Sequence, residues 1–267
     1  MEFKLGKAPA RPDATKLKLG TYLSATNLPE VPLVFGYGSP NSKATRVQNW
    51  RILGNDIYSN CVWAGAAHET MVWRALAGFV PPLYTNTVVL WDYAAATGFD
   101  PKKPETDNGT DLQQAAAYRR KTGTADASGL RHKIDIYAAL RVGDVDEIAL
   151  ATHLFGTVGI GVDLPNSAMD QFNRVEPWSV VSGSTSIGGH YFNVCGRNSL
   201  GNYLVVTWGR LHAVEPSWLA KFMDEGLMYS TFESLNSKNL SPDGFDYQTL
   251  MKDLKAITAN GQLSFGV

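Results

Sequence analysis

Two side chains in this sequence have the chemistry for covalent attack on a carbonyl, Cys61 and His190. Cys61 ends a polar loop, Gly54-Asn-Asp-Ile-Tyr-Ser-Asn, and opens a run containing Ala64, Ala66 and Ala67. Met71, Val72, Ala75 and Leu76 extend an apolar face at i, i+3, i+4 spacing, which predicts a helix. Ser59 or Asn60 would cap it, and Gly78 would end it before Pro81-Pro82. A sulfur at that helix start meets unpaired backbone N–H groups and the positive end of the dipole, which stabilise a thiolate. Asn55, six residues upstream, has an amide to offer an oxyanion. Otherwise Asn55 forms a turn with Asp56, and Cys61 is a small buried thiol.

His190 begins an apolar strand, Gly188 to Gly196, beside two glycines that leave its face open. Residues 197–201 predict a hairpin turn, and 202–209 the returning strand. An imidazole beside Cys61 would take the thiol proton, and the thiolate would attack a carbonyl carbon. The imidazolium would then protonate the leaving amine. Such a ring needs a third group to orient it. Thr207, Asn193 or Asn198 could supply it, with strand alternation deciding which reaches His190; Thr207, on the returning strand, is the one carried forward, against an ordinary β-branched strand residue. Trp208 would shield the His side from water. Cys195 shares a strand face with Tyr191 and Asn193 and reads as packing. His68 lies two helical turns from Cys61, out of its reach. His132, His153 and His212 have no companions that suggest a site. Asp224-Glu225 reads as a solvated helix face.

The elements that would position these residues follow from the pattern. Residues 1–45, with Pro9, Pro12, Pro29, Pro32 and Pro40 and an early basic run, read as an extended arm. Such an arm must lie on its own domain or on a partner. Residues 46–235 read as one α+β domain, and 236–267 as a tail with a helix over 246–259. Tyr247, Leu250, Met251, Leu254 and Ile257 give that helix an apolar stripe. Thr85–Tyr93 fits a strand or a short helix, and 98–109 is a polar loop. Thr110-Asp-Leu-Gln113 is a capping box for a helix to Lys121. Residues 133–140 alternate as a strand, and Asp144 caps a helix to Leu154. Residues 157–163 form a strand with two glycines, so something approaches its backbone closely. Pro216 opens a helix to Met228 or Tyr229.

Composition bounds the function. The 267 residues carry 24 basic and 25 acidic side chains, so nucleic acid or an anionic membrane surface is not expected as a partner. No apolar run approaches membrane-spanning length, and the N-terminal lysines precede no apolar signal core. Two cysteines make no disulfide framework and fit a reducing compartment. No Cys/His spacing fits a metal and no glycine-rich loop fits a phosphate, so no cofactor or metal is expected.

The ordered set of motifs resembles the papain-like cysteine peptidases. Asn55 stands where that family carries its oxyanion glutamine, and Cys61-Val-Trp-Ala is similar to its Cys-Trp-Ala with one residue inserted. Gly189-His190 through Gly196 resembles its His strand, and Thr207-Trp208-Gly209 the end of its Asn-Ser-Trp-Gly motif. The resemblance spans residues 50–210. It implies a helical part carrying Cys61 packed on an antiparallel sheet carrying His190. One departure matters: register on Trp-Gly puts Val206 where the family has its orienting Asn. The whole chain also resembles uncharacterised proteins of tailed phages and prophages, through its opening Lys-Leu-Gly-Lys-Ala-Pro-Ala-Arg-Pro and Tyr118-Arg-Arg-Lys-Thr-Gly. That implies a virion or host-cytoplasm setting.

Two functions therefore stand. One is a cysteine hydrolase cutting an amide in a peptide or protein. The other is an inactive papain-like fold serving as a virion structural or decoration protein, joined to phage structural proteins or further copies of itself through the arm. Transglutaminase-like acyl transfer ranks lower, because the returning strand has no acidic residue.

Overall fold

The computed structural model describes residues 3–11, 13–15, 17–19, 29–232 and 252. The helix expected over 246–259 lies outside the described residues. Alternating strands build a seven-stranded sheet in the order β4 (Ile136–Ala139), β9 (Met223–Ser230), β5 (Val158–Pro165), β6 (Ser186–Arg197), β7 (Tyr203–Thr207), β8 (Arg210–Val214). The short β1 (Phe35–Gly36) also pairs with β6, and every pairing is antiparallel. β2 (Thr124–Ala125) and β3 (Arg131–His132) form a separate two-stranded ribbon.

The period-2 pattern gives the sheet two apolar faces. Along β6, Phe192 and Val194 enter one core, with α4 (Val145–Phe155), α5 (Asn166–Arg174) and α6 (Pro216–Phe222). Tyr191 and Cys195 enter the other, with α1 (Cys61–Leu76), α2 (Asn86–Thr97) and α3 (Leu112–Lys121). This is the expected α+β arrangement, with the Cys helix on the His-bearing sheet. Cys195 packs as the strand pattern implied, donating weakly to Leu204 O at 3.4 Å.

A buried polar bolt joins α1 to the sheet. Glu69 accepts from Arg119 Nη2 at 2.6 Å and from the Tyr191 hydroxyl at 2.5 Å. Gly65 lets the helix approach: a Cβ there would sit 2.4 Å from the Tyr191 ring. Paired in this way, the Glu69 and Arg119 charges are tolerable inside the protein, and removing one partner would strand the other.

Several local expectations are resolved or corrected. Of the two states open to Thr85–Tyr93 the helix is the one formed, from Asn86 on, because Thr85 caps α2 by accepting from Val88 N. The cap of α3 is Asp111, since Thr110 Oγ1 instead accepts from Trp63 Nε1 at 3.0 Å. Neither Ser59 nor Asn60 caps α1 through its side chain; Asn60 is spent on Leu53 O at 2.9 Å. The helix at Pro216 stops at Phe222, because residues 223–230 pair with both β4 and β5. Asp224 and Glu225 therefore stand on a strand and not on a solvated helix face. The returning strand ends at Thr207, and Trp208-Gly209 turn the chain into β8.

Candidate active site

The cysteine loop is held from beneath by α1. Arg51, Leu53 and Gly54 all have positive φ, 54°, 56° and 82°, an uncommon choice for the first two. His68 pins this turn, its Nε2 lying 2.8 Å from Trp50 O and 3.1 Å from Arg51 O. Burial pushes the His68 imidazole down to about 4, so it sits there neutral. Asp107 holds the far end of the loop: its carboxylate accepts from Ser59 N at 3.0 Å and from the Tyr93 hydroxyl at 2.8 Å. Sequence reading placed Asp107 only in a polar loop, and its partners lie 48 and 14 residues away in the chain.

Cys61 is the first residue of α1, as its spacing predicted. The nearby backbone N–H groups of Tyr191, Gly6 and Val62 act to favour its thiolate. The contact with Tyr191 sets the sulfur against the start of β6, one residue from His190. The expected stabilised thiolate is not what this state holds. Burial pushes the Cys61 thiol up to about 12, outweighing those N–H groups and the Lys7 charge.

His190 lies on the same face of β6 as Phe192, and strand alternation decides what reaches it. On β7, Val206 faces the Cys61 helix core, whereas Thr207 faces the other way. His190 Nε2 lies 2.7 Å from Thr207 Oγ1, and both side chains are buried. The Thr207 hydroxyl, and not the Val206 side chain, is therefore the group beside the ring. His190 Nδ1 is buried without a hydrogen-bond partner. Burial pushes this imidazole down to about 3, so ring and thiol are both neutral here.

Trp208 stacks on the His190 ring at 4.3 Å and 16°. With Gly209 it makes a two-residue hairpin turn in which both φ angles are positive, 43° and 77°. Such turns favour Asn-Gly, and a tryptophan there is strained. The stacking on His190 and on Phe3 accompanies that strain.

The open face expected beside the two glycines is filled by the chain's own arm. Gly6 N and Lys7 N donate to Gly189 O at 3.2 and 3.1 Å, and Ala8 N donates to Thr110 O at 2.9 Å. Thr110 N donates back to Gly6 O at 2.8 Å. Leu5 covers Gly188, and Phe3 stacks on Trp208 at 4.9 Å. Asn55 is 2% exposed, and its amide donates to Tyr58 O at 3.3 Å and Lys4 O at 3.5 Å. The arm thus covers Asn55, Cys61 and the Gly188-Gly189 start of the His190 strand, and His190 pairs with Thr207 but makes no hydrogen bond to the Cys61 sulfur. Among the described residues no group of His, Cys, Asp and Glu could hold a metal ion. No described helix is long and apolar enough to cross a membrane.

No protein-family model matches the chain, and no curated protein matches it in sequence. Solved structures do match. Xylellain, a cysteine protease from Xylella fastidiosa, superposes with a TM-score of 0.61 at 13% identity, over 86% of this chain and 98% of its own. The ragweed pollen cysteine protease Amb a 11, in its proform, gives 0.56 at 14% identity, over 83% and 72%. The Carica candamarcensis cysteine protease CMS1MS2 gives 0.52 at 11% identity, over 75% and 99%. At these identities the likeness is one of fold. The chain has the α+β fold of the papain-like cysteine proteases.

Proposed function

We propose that this protein is a cysteine hydrolase of amide or peptide bonds, held closed in this structure by residues 3–8. The observation that carries the reading is the pair His190–Thr207. A buried imidazole has one nitrogen 2.7 Å from a hydroxyl and the other without a partner, and Cys61 lies against the same strand start; for the reaction, sulfur and ring must meet once the arm lifts. With the arm displaced, water enters, and the desolvation that keeps the thiol and ring neutral falls away. The α1 N–H groups and the imidazolium then favour the thiolate. The thiolate attacks the amide carbon, and the Asn55 amide, released from Lys4 O, donates to the developing oxyanion. The imidazolium protonates the leaving amine, and water, deprotonated by His190, resolves the thioester. The setting we propose, from the sequence resemblance to phage proteins, is a phage-encoded enzyme acting in the virion or the infected cell.

The second reading is an inactive fold kept as a virion structural protein. The thiol at about 12 and the buried imidazole favour it.

The test is the iodoacetamide labelling rate of Cys61 against pH, read by mass spectrometry, with Cys195 as internal control. It uses the Gly6→Ala chain, whose arm cannot seat, and its His190→Ala counterpart. Labelling that is fast well below pH 8 and lost with His190 supports the hydrolase. Labelling that rises only near the ordinary thiol pKa of about 8.5 overturns it in favour of the structural reading.

A further inference from the structure

Lys7 is an unusual residue to find at the centre of a closed cleft. Its side chain is fully buried, and all three ammonium protons have acceptors. Nζ lies 2.9 Å from Asp224 Oδ2, 3.3 Å from Glu225 Oε1 and 2.9 Å from Ala8 O. The stem of the side chain runs over Gly161, where a Cβ would come within 2.3 Å of Lys7 Cε. Gly189 is equally required, since a Cβ there would sit 2.3 Å from Lys7 O. The slot is thus shaped for a long unbranched side chain, floored by glycine and ended by two carboxylates. It opens one residue along the arm from Gly6, which donates to Gly189 O beside His190 and lies near the Cys61 sulfur.

Emptying the slot would be costly. Two adjacent carboxylates would face each other in a partly desolvated site, where like charges repel and a cation is favoured. Burial already pushes the Glu225 carboxyl up, and the Lys7 charge draws it back. Asp224 Oδ1 is buried and still lacks a hydrogen-bond partner. A cavity of about 70 Å³ borders the same carboxylates, lined also by Gln113 and Leu140. A planar guanidinium, with more donors than an ammonium, has both a spare acceptor and adjacent space there.

Resting on the hydrolase reading above, we propose that the slot formed by Gly161, Asp224 and Glu225 is the specificity pocket of the cleft. It takes a lysine or arginine side chain of the peptide substrate, and Lys7 occupies it while the arm is docked. The arm is then a built-in ligand that reports what the cleft selects.

The test separates binding from chemistry. Fluorescein-labelled octapeptides matching residues 3–10 carry Lys, Arg, Leu or Glu at the place of Lys7. Their affinity for the full chain bearing Gly6→Ala and Cys61→Ala is read by fluorescence anisotropy. Should Gly6→Ala impair folding, Lys7→Ala serves in its place, since it empties the slot without crowding Ser59. The Lys and Arg peptides are expected to bind at least about tenfold tighter than the Leu peptide, near 1.4 kcal/mol. Glu225→Gln should erase most of that preference. Equal affinities, or no binding by any of the peptides, overturn the proposal. With Cys61 restored, peptides cut beside basic residues support the pocket and the hydrolase together. A basic preference in binding with no cutting of any peptide retires the hydrolase and leaves the pocket standing.

Discussion

Gly6→Ala is the sharpest perturbation of the closed cleft. A Cβ on Gly6 would lie 2.0 Å from Ser59 O and 2.2 Å from Ser59 C, and both are backbone atoms of the loop that Asp107 holds. The loop cannot give, so the arm must lift. Lifting breaks four backbone hydrogen bonds: Gly6 N and Lys7 N to Gly189 O, Ala8 N to Thr110 O, and Thr110 N to Gly6 O. At about 1 kcal/mol net for each, the seat is weakened by about 4 kcal/mol. The Lys7 ion pair is left out of this sum, because desolvation offsets much of a buried pair. Cys61 is 1% exposed while the arm is down, so reagent reaches it only in the open state. The loss then predicts a rise of roughly 10²- to 10³-fold in iodoacetamide labelling of Cys61 at pH 7.5 over the parent chain. The assay is intact and peptide mass spectrometry on one sample. Cys195, buried deeper in the same core and away from the arm, must stay unlabelled, which shows that the fold is intact. A rise below about threefold, less than 1 kcal/mol, with Cys195 still protected would refute the arm as the element that closes the site.

Other outcomes follow from the same geometry. Thr207→Val leaves His190 Nε2 buried and unpaired, and should cost about 1–3 kcal/mol in urea unfolding; Thr207→Ser should recover most of it, and equal losses for both variants would refute the orienting bond. Acid should destabilise the fold, because burial lowers His68 to about 4, His190 to about 3 and His212 to about 4. Lowered folded values mean that the unfolded chain takes up protons first, so stability is full above about pH 6.5 and is lost as pH falls toward 3. His212, between the rings of Phe172 and Trp178, can be made Phe. The melting temperature of that variant should fall less between pH 6.5 and 4 than the parent's, by an amount equivalent to at most about 3 kcal/mol.

Much of this arrangement is written locally. The small-residue face after Cys61 specifies a helix that starts at the cysteine, and alternation along 186–197 puts His190 and Cys195 on opposite faces of one strand. Those patterns are short-range, and burial on a sheet with two apolar faces enforces them. Helix ends were less legible, because Thr110 and Asn60 are good caps that the fold recruits for Trp63 and Leu53 instead. The strand 223–230 was read as helix, because Met-Asp-Glu-Gly has no strand alternation; its state comes from lying between β4 and β5.

The sequence by itself determined that a cysteine begins a helix, that a histidine begins a strand, and that the expected orienting position falls on Val206, with Thr207 or an asparagine left to stand in. Only the tertiary structure decided that Thr207 lies beside the ring, because which face of β7 meets His190 depends on register and on the turn at Trp208-Gly209. Only the tertiary structure closed the cleft. Nothing in the spacing of Gly6 and Lys7 reveals that they lie on Cys61 and between Asp224 and Glu225, more than two hundred residues away in the chain. The same contact reverses the expected charge on the cysteine: a helix start favours the thiolate, and burial beneath the arm removes the water that would let it form.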